Sequence, residues 1–327
     1  MSSSRFVSLI SRTRIPSCDP SKQPTVKSLL GLFLRHSTFS SRRHFATEKA
    51  SSEIASSETG PQDELLIERL TGEQAGILVL SINRPAARNA ISRNFAHLLR
   101  ETLATETKAT DVRVLILRSS STGIFCAGAD LKERMKLKEE EVGPFVSSLR
   151  DMVQKLYSFS FPTVAALDGL ALGGGLELAL ACDIRVASRT AKMGLVETKL
   201  GIIPGAGGTQ LLPRLIGASR AKDLIFAGTT FDGEQAKSLG VVNHTVEQNE
   251  KGDAAYRRSV EVAERMLSNG PFALRMAKLA INQGIEMSLS EGWGFEEKCY
   301  GQVIGTKDRK EGLLAFNEKR KPKFIGE

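Results

Sequence analysis

Residues 162–183 read Pro162-Thr-Val-Ala-Ala-Leu-Asp-Gly-Leu-Ala-Leu-Gly-Gly-Gly-Leu-Glu-Leu-Ala-Leu-Ala-Cys-Asp183, and this stretch decides the fold. Val164 to Leu167 forms an unbroken apolar run, as expected of a short strand buried on both faces. Three consecutive glycines follow, Gly173 to Gly175, and an Ala/Leu-rich helix begins directly after them. Three glycines let the backbone approach a ligand closely. The helix N-terminus then offers unpaired N–H groups and a dipole that favours negative charge. Such a place stabilises an anion, and Glu177 stands early in that helix.

The flanking sequence repeats the alternation. Gly76 to Asn83 (Gly-Ile-Leu-Val-Leu-Ser-Ile-Asn) reads as a strand closed by Pro85, and Val112 to Arg118 as a buried strand. A helix is expected from Ser92, with Phe95, Leu98, Leu99 and Leu103 on one face. Val142, Phe145, Val146, Leu149, Met152, Val153 and Leu156 fall at helical spacing. Strand and helix in turn indicate an α/β layer architecture. From Thr209 onward strands almost vanish, and helices are expected over 218–226, 254–267, 272–283, 287–303 and 308–319. No internal repeat of fixed period is visible. The expected organisation is an α/β core over 63–252 and a helical C-terminal region over 253–327.

Two further glycine-rich segments bear on chemistry. Gly123-Ile-Phe-Cys-Ala-Gly-Ala-Asp-Leu-Lys132 follows the strand ending near Arg118. Were this loop beside the 173–175 loop, each could aim one backbone N–H at the same oxygen, which is an oxyanion hole. In Met193-Gly-Leu-Val-Glu-Thr-Lys-Leu-Gly-Ile-Ile-Pro-Gly-Ala-Gly-Gly-Thr-Gln210, Glu197 stands between an apolar run and a glycine turn. Two carboxylates brought into one apolar pocket have their pKa values driven apart, giving one acid and one base near neutrality. Acid–base work on a carbonyl compound is the chemistry that fits.

Composition sets the outer bounds. The chain has 327 residues, 41% apolar and 25% charged, enough for a substantial core. The longest apolar stretch, Pro162 to Cys182, carries Asp168, Glu177 and four glycines, so no membrane span is expected. Residues 1–47 hold eight Lys/Arg, eleven serines and one acid, Asp19, which is transit-peptide chemistry. Lys27 to Phe39 can form a short amphipathic helix for an import receptor, and Arg43-His44-Phe45 before Ala46 suits a matrix-peptidase cut. A presequence over 1–45, a Ser/Glu/Ala-rich lead-in over 46–62 and a mitochondrial matrix address are therefore expected. Losing eight cations and one anion takes the formal charge from +8 to +1. The basicity is then no argument for nucleic-acid binding. Of four cysteines, Cys126, Cys182 and Cys299 would remain, with no CxxC or HxxxH spacing for zinc and no disulfide framework.

The segments GxxCAGADLKE, DGxALGGGxELALACD and GxxPGxGGTQ, in this order and with Asn83-Arg84-Pro85 and Asn89-Ala90 before them, resemble the signature blocks of the crotonase superfamily, the enoyl-CoA hydratase/isomerase family. The resemblance runs from about Leu65 to Glu327, and Val142-Gly-Pro-Phe with Met193-Gly-Leu-Val-Glu looks closest to its methylglutaconyl-CoA hydratase branch. It implies a spiral of ββα turns, trimers that pair into hexamers, and an acyl-coenzyme A thioester bound between spiral and C-terminal helices. It further implies that the N–H groups of Ala129 and Gly174 hold the thioester oxygen. Glu177 would take a proton from water as it attacks the β-carbon, and Glu197 would protonate the α-carbon. The stretch Ala129, Asp130, Leu131 and Lys132 would lie against the coenzyme A portion. Both glutamates being present favours hydration over isomerisation, in fatty-acid or branched-chain amino-acid breakdown. No separate cofactor or metal is implied, since coenzyme A belongs to the substrate.

Two other functions compete with this reading. Gly205-Ala-Gly-Gly208 departs from the dinucleotide fingerprint GxGxxG and lacks a preceding strand and a ribose-binding acid. The methylglutaconyl branch also includes a protein that looks like an RNA binder. Its basic segment corresponds to 101–118 here, where Lys108, Arg113 and Arg118 are balanced by Glu101, Glu106 and Asp111. The electrostatic footprint of RNA binding is missing.

Overall fold

The computed structural model describes residues 64–327. The expected presequence and the whole of the lead-in lie outside the described residues. The strands are β1 (Leu65–Arg69), β2 (Ile77–Ile82), β3 (Val114–Ser119), β4 (Ile124–Cys126), β5 (Thr163–Leu167), β6 (Leu170–Leu172), β7 (Ile184–Ser188), β8 (Lys192–Gly194), β9 (Phe231–Asp232) and β10 (His244–Val246). They form two sheets, one ordered β1-β2-β3-β5-β7-β10 and the other β4-β6-β8-β9. Within the first, every pairing is parallel except β1 with β2. Each of β3/β4, β5/β6 and β7/β8 sends one strand to the large sheet and the next to the small one, so the chain advances as a spiral of ββ turns.

Helices close the turns. They are α1 (Arg93–Glu106), α2 (Leu131–Arg134), α3 (Glu139–Tyr157), α4 (Gly174–Leu180), α5 (Gly208–Ile216), α6 (Ala218–Ala227) and α7 (Gly233–Leu239). The α1 boundary follows from capping: the Ser92 side chain accepts the Phe95 N–H, as an N-cap serine should. Its inward face is Phe95, Ala96, Leu99 and Leu103, and α3 buries Phe145, Leu149, Met152, Val153 and Leu156 at the same period. The central strands are apolar on both faces, so two cores form. One lies between the sheets and α1, α3 and α4, centred on Phe95, Leu115, Phe125 and Leu176.

The second core places Ile77, Val79, Val114, Ile116, Val164 and Val186 against α8 (Ala254–Leu267), through Ala255, Val260, Val262 and Ala263. Asp168, just after β5, accepts the Ala255 and Tyr256 N–H groups at 2.7 and 3.0 Å and so fixes where α8 starts. Three more helices follow, α9 (Pro271–Gly284), α10 (Leu289–Ile304) and α11 (Lys307–Asn317). Lys278 ties α9 to the core through an ion pair with Asp183 at 2.8 Å and a bond to the Phe161 carbonyl at 2.9 Å. No helix among the described residues is long and apolar enough to cross a membrane.

Candidate active site

The 123–132 and 173–175 loops leave adjacent parallel strands, β4 and β6. A Cβ built on Gly128 would fall 3.0 Å from the Leu172 carbonyl oxygen, and one on Gly174 would fall 3.4 Å from the Ala129 nitrogen. The backbones therefore touch, which brings the Ala129 and Gly174 N–H groups together. Gly174 opens α4, where the first N–H groups have no partner in their own helix. Two donors of this kind, side by side, make a site for one oxygen that gains negative charge.

The Ala129 loop is held from beneath. Asn89 is fully buried in a left-handed conformation, with φ at 52–54° shared by Arg88 and Asn89. It donates to Ser119 Oγ at 2.7 Å and to the Phe125 carbonyl at 3.1 Å. Asp130 is buried too. It caps α2 by accepting the Lys132 and Glu133 N–H groups, and it pairs with Arg84 at 3.2 Å.

Both glutamates reach one cavity of about 500 Å³, lined on its loop side by Ala129, Leu131, Gly173 and Gly174. Leu149, Leu200, Ile202 and Ile203 provide apolar wall, and Arg134 and Arg150 are its two cations. Glu177 is 2% exposed, and its Oε1 accepts the Ala206 and Gly208 N–H groups at 2.9 and 2.7 Å. The glycine turn at 205–208 thus serves as an anchor for this carboxylate. Glu197 begins a 3-10 turn after β8 and is 9% exposed. Its Oε2 is buried without a hydrogen-bond partner among the described residues. Lys132 is exposed, and neither it nor Asp130 lines the cavity.

Burial pushes the Glu177 carboxyl up to about 7, with the Gly208 N–H opposing and the Glu197 charge adding to the rise. Burial also raises Glu197, against backbone hydrogen bonds at its own N–H and that of Val196. The two titrate as a pair. Cys126, beside the site, is buried and its thiol is pushed up to about 12, so it is no nucleophile at neutral pH.

A stability consequence follows. With its pKa raised, Glu177 keeps its proton in the native state across the window from 4.5 to about 7, where the unfolded chain has lost it. Native stability is therefore undiminished below that window and falls as pH rises through it, by about 3 kcal/mol in all. Glu177→Gln keeps an acceptor oxygen for Ala206 and Gly208 but carries no charge. Its stability relative to wild type should rise between about pH 5 and about pH 8, read as urea midpoints. Parallel midpoints at the two pH values would refute a raised Glu177.

A spiral of ββα turns, with two loop N–H groups and two buried carboxyls around one cavity, defines a class of acyl-thioester enzymes, and a family model described as enoyl-CoA hydratase/isomerase matches residues 72–327. The chain belongs to that family. It is 56% identical over 272 residues to the mitochondrial methylglutaconyl-CoA hydratase of Mus musculus, covering 83% of this chain and 87% of that one. It is 50% identical over 274 residues to the mitochondrial enoyl-CoA hydratase domain-containing protein 2 of Mus musculus, covering 84% and 93%. Among solved structures, the enoyl-CoA hydratase from Bacillus anthracis superposes with a TM-score of 0.77 at 43% identity, covering 81% of this chain and all of that one.

Proposed function

We infer that this enzyme adds water across the α,β double bond of a trans-2-enoyl-CoA, and that 3-methylglutaconyl-CoA is its preferred substrate. The observation that carries the reaction is the pair of buried carboxyls facing one cavity with two N–H donors. Backbone N–H groups favour the charged form of both carboxyls, but Glu197 Oε2 is buried with no hydrogen-bond partner among the described residues, whereas Glu177 Oε1 takes two. Above about pH 7, where Glu177 has lost its proton, the proton that remains on the pair is therefore assigned to Glu197.

In this reading the thioester oxygen sits on the Ala129 and Gly174 N–H groups, and a water lies between the carboxyls. Glu177 takes a proton from that water as its oxygen bonds to C3. The C2–C3 π electrons move into the thioester as an enolate, whose oxygen the two N–H groups stabilise. Glu197 then gives its proton to C2, and the proton on Glu177 returns to Glu197 through solvent. Every step uses protein groups and water, so the reading needs no separate cofactor.

The acyl preference rests on similarity to the methylglutaconyl-CoA hydratase. A panel of crotonyl-, longer straight-chain enoyl- and 3-methylglutaconyl-CoA should give the highest kcat/KM with the last. A preference for long straight chains would overturn that choice and leave the hydratase assignment standing. A matrix location, removal of residues 1–45 and self-association into trimers or hexamers belong to the same reading. Exposed apolar side chains on the C-terminal helices, among them Ile285, Leu289, Trp293, Leu313 and Phe316, support the last. Segment 101–118 has internal work instead: Arg113 bonds the Asn269 carbonyl and Arg118 stacks 3.8 Å above the Tyr256 ring.

A further inference from the structure

The acid–base pair and the loop donors account for the thioester end of the cavity, but not for its two arginines. Arg150 stands on α3 and lines the cavity beside Gly205 and Ala206. Its Nε donates to the Gly205 carbonyl at 3.2 Å. Gly205 adjoins Ala206, whose N–H holds Glu177, so the guanidinium is tethered to the strip of backbone that anchors the catalytic carboxyl. It is also near enough to Glu177 to favour that group's charged form. No ion pair engages Arg150 among the described residues, and its two terminal nitrogens have no hydrogen-bond partner there.

Arg150 is exposed at the cavity rim, so its guanidinium is hydrated and without an ion pair among the described residues, and a plain hydrocarbon chain gives it nothing to bind. For a chain that ends in a carboxylate the arithmetic reverses. Such a chain would enter a cavity already holding two carboxyls and would be repelled unless a cation met it. The reach is right. With C3 between Glu177 and Glu197, the far carboxyl of a five-carbon diacid thioester lies two C–C bonds on, about 2.5 Å further. Arg150 stands on the Glu177 side, with a planar pair of free nitrogens suited to bidentate binding of a carboxylate.

We propose that Arg150 is the specificity-determining residue for an acyl chain with a distal carboxylate, which it binds through its terminal nitrogens. This rests on the hydratase reading for its substrate and deepens it. Arg134, the other cavity cation, belongs to α2 on the Ala129 side and has no such task.

The test compares wild type with Arg150→Leu, Arg150→Lys and, as a control for cavity charge, Arg134→Leu. Two readouts are taken: kcat/KM for glutaconyl-CoA against crotonyl-CoA, and calorimetric affinity for the non-hydratable glutaryl-CoA against butyryl-CoA. Arg150→Leu should lower the diacid-to-monoacid ratio about 10-fold in both readouts, the scale of one charge-assisted hydrogen-bonded contact at a solvent-exposed cation. Arg150→Lys should recover part of it, and Arg134→Leu should leave the ratio near that of wild type. An unchanged ratio in Arg150→Leu, or an equal fall in Arg134→Leu, would overturn the proposal. Failure of wild type to hydrate either thioester would instead count against the hydratase reading, and the binding ratio would still decide the role of Arg150.

Discussion

Glu197→Gln and Glu177→Gln are each expected to hydrate crotonyl-CoA about 10²–10⁴ times more slowly than wild type, the usual contribution of a positioned acid or base. The substitutions preserve shape, and both side chains sit in a preformed cavity, so the variants should remain folded by circular dichroism. Their defects differ in origin. Glutamine at 197 has no proton to give C2, whereas glutamine at 177 keeps the Ala206 and Gly208 bonds but cannot take a proton from water. In the proposed mechanism both groups act on one water, so the double variant should lose less than the product of the single losses. Near wild-type turnover in either single variant would remove that glutamate from the mechanism.

Gly173→Ala should be nearly as damaging by another route. Gly173 has φ 50° and ψ −126°, a conformation that costs other residues about 1–3 kcal/mol. A Cβ there would also lie 3.1 Å from Glu197 Oε1. The backbone must shift or the carboxyl must move, and the neighbouring Gly174 N–H is displaced in the first case. Loss of one oxyanion donor costs about 10²–10³ in kcat. We expect a fall of that size in kcat, with lower thermal stability and intact coenzyme A binding. Unchanged kcat in a folded Gly173→Ala protein would show that this glycine does not set the site geometry.

The large sheet and the long helices were legible in the sequence because they carry period. Residues 76–83 and 164–167 are apolar strands of ordinary length, and the expected helix at 254–267 is α8. The small sheet was not legible. β4, β6 and β8 have three residues each, too short for any alternation to register, yet they set the two loops side by side. The short α7 and β10 after residue 209 were missed for the same reason.

At the site, the two glutamates and the glycine loops were visible because glycine runs and charged residues within apolar stretches break the pattern. Their surroundings were not. By sequence alone the turn at Gly205–Gly208 resembles a nucleotide loop only in its glycines, and its role as a pair of N–H donors to Glu177 depends on a contact 31 residues apart. Arg150 falls on the polar face of an amphipathic helix, where an arginine is unremarkable until the fold sets it beside the carboxyls.

The central claim is that this cavity adds water to an enoyl thioester through Glu177 and Glu197, and incubation with crotonyl-CoA in water enriched in heavy oxygen tests it most directly. Wild type should yield 3-hydroxybutyryl-CoA with the heavy oxygen on C3, while the Glu177→Gln/Glu197→Gln double variant leaves the thioester largely unconverted over the same interval. Loss of the double bond without heavy oxygen at C3, or conversion by the double variant at the wild-type rate, would contradict the account.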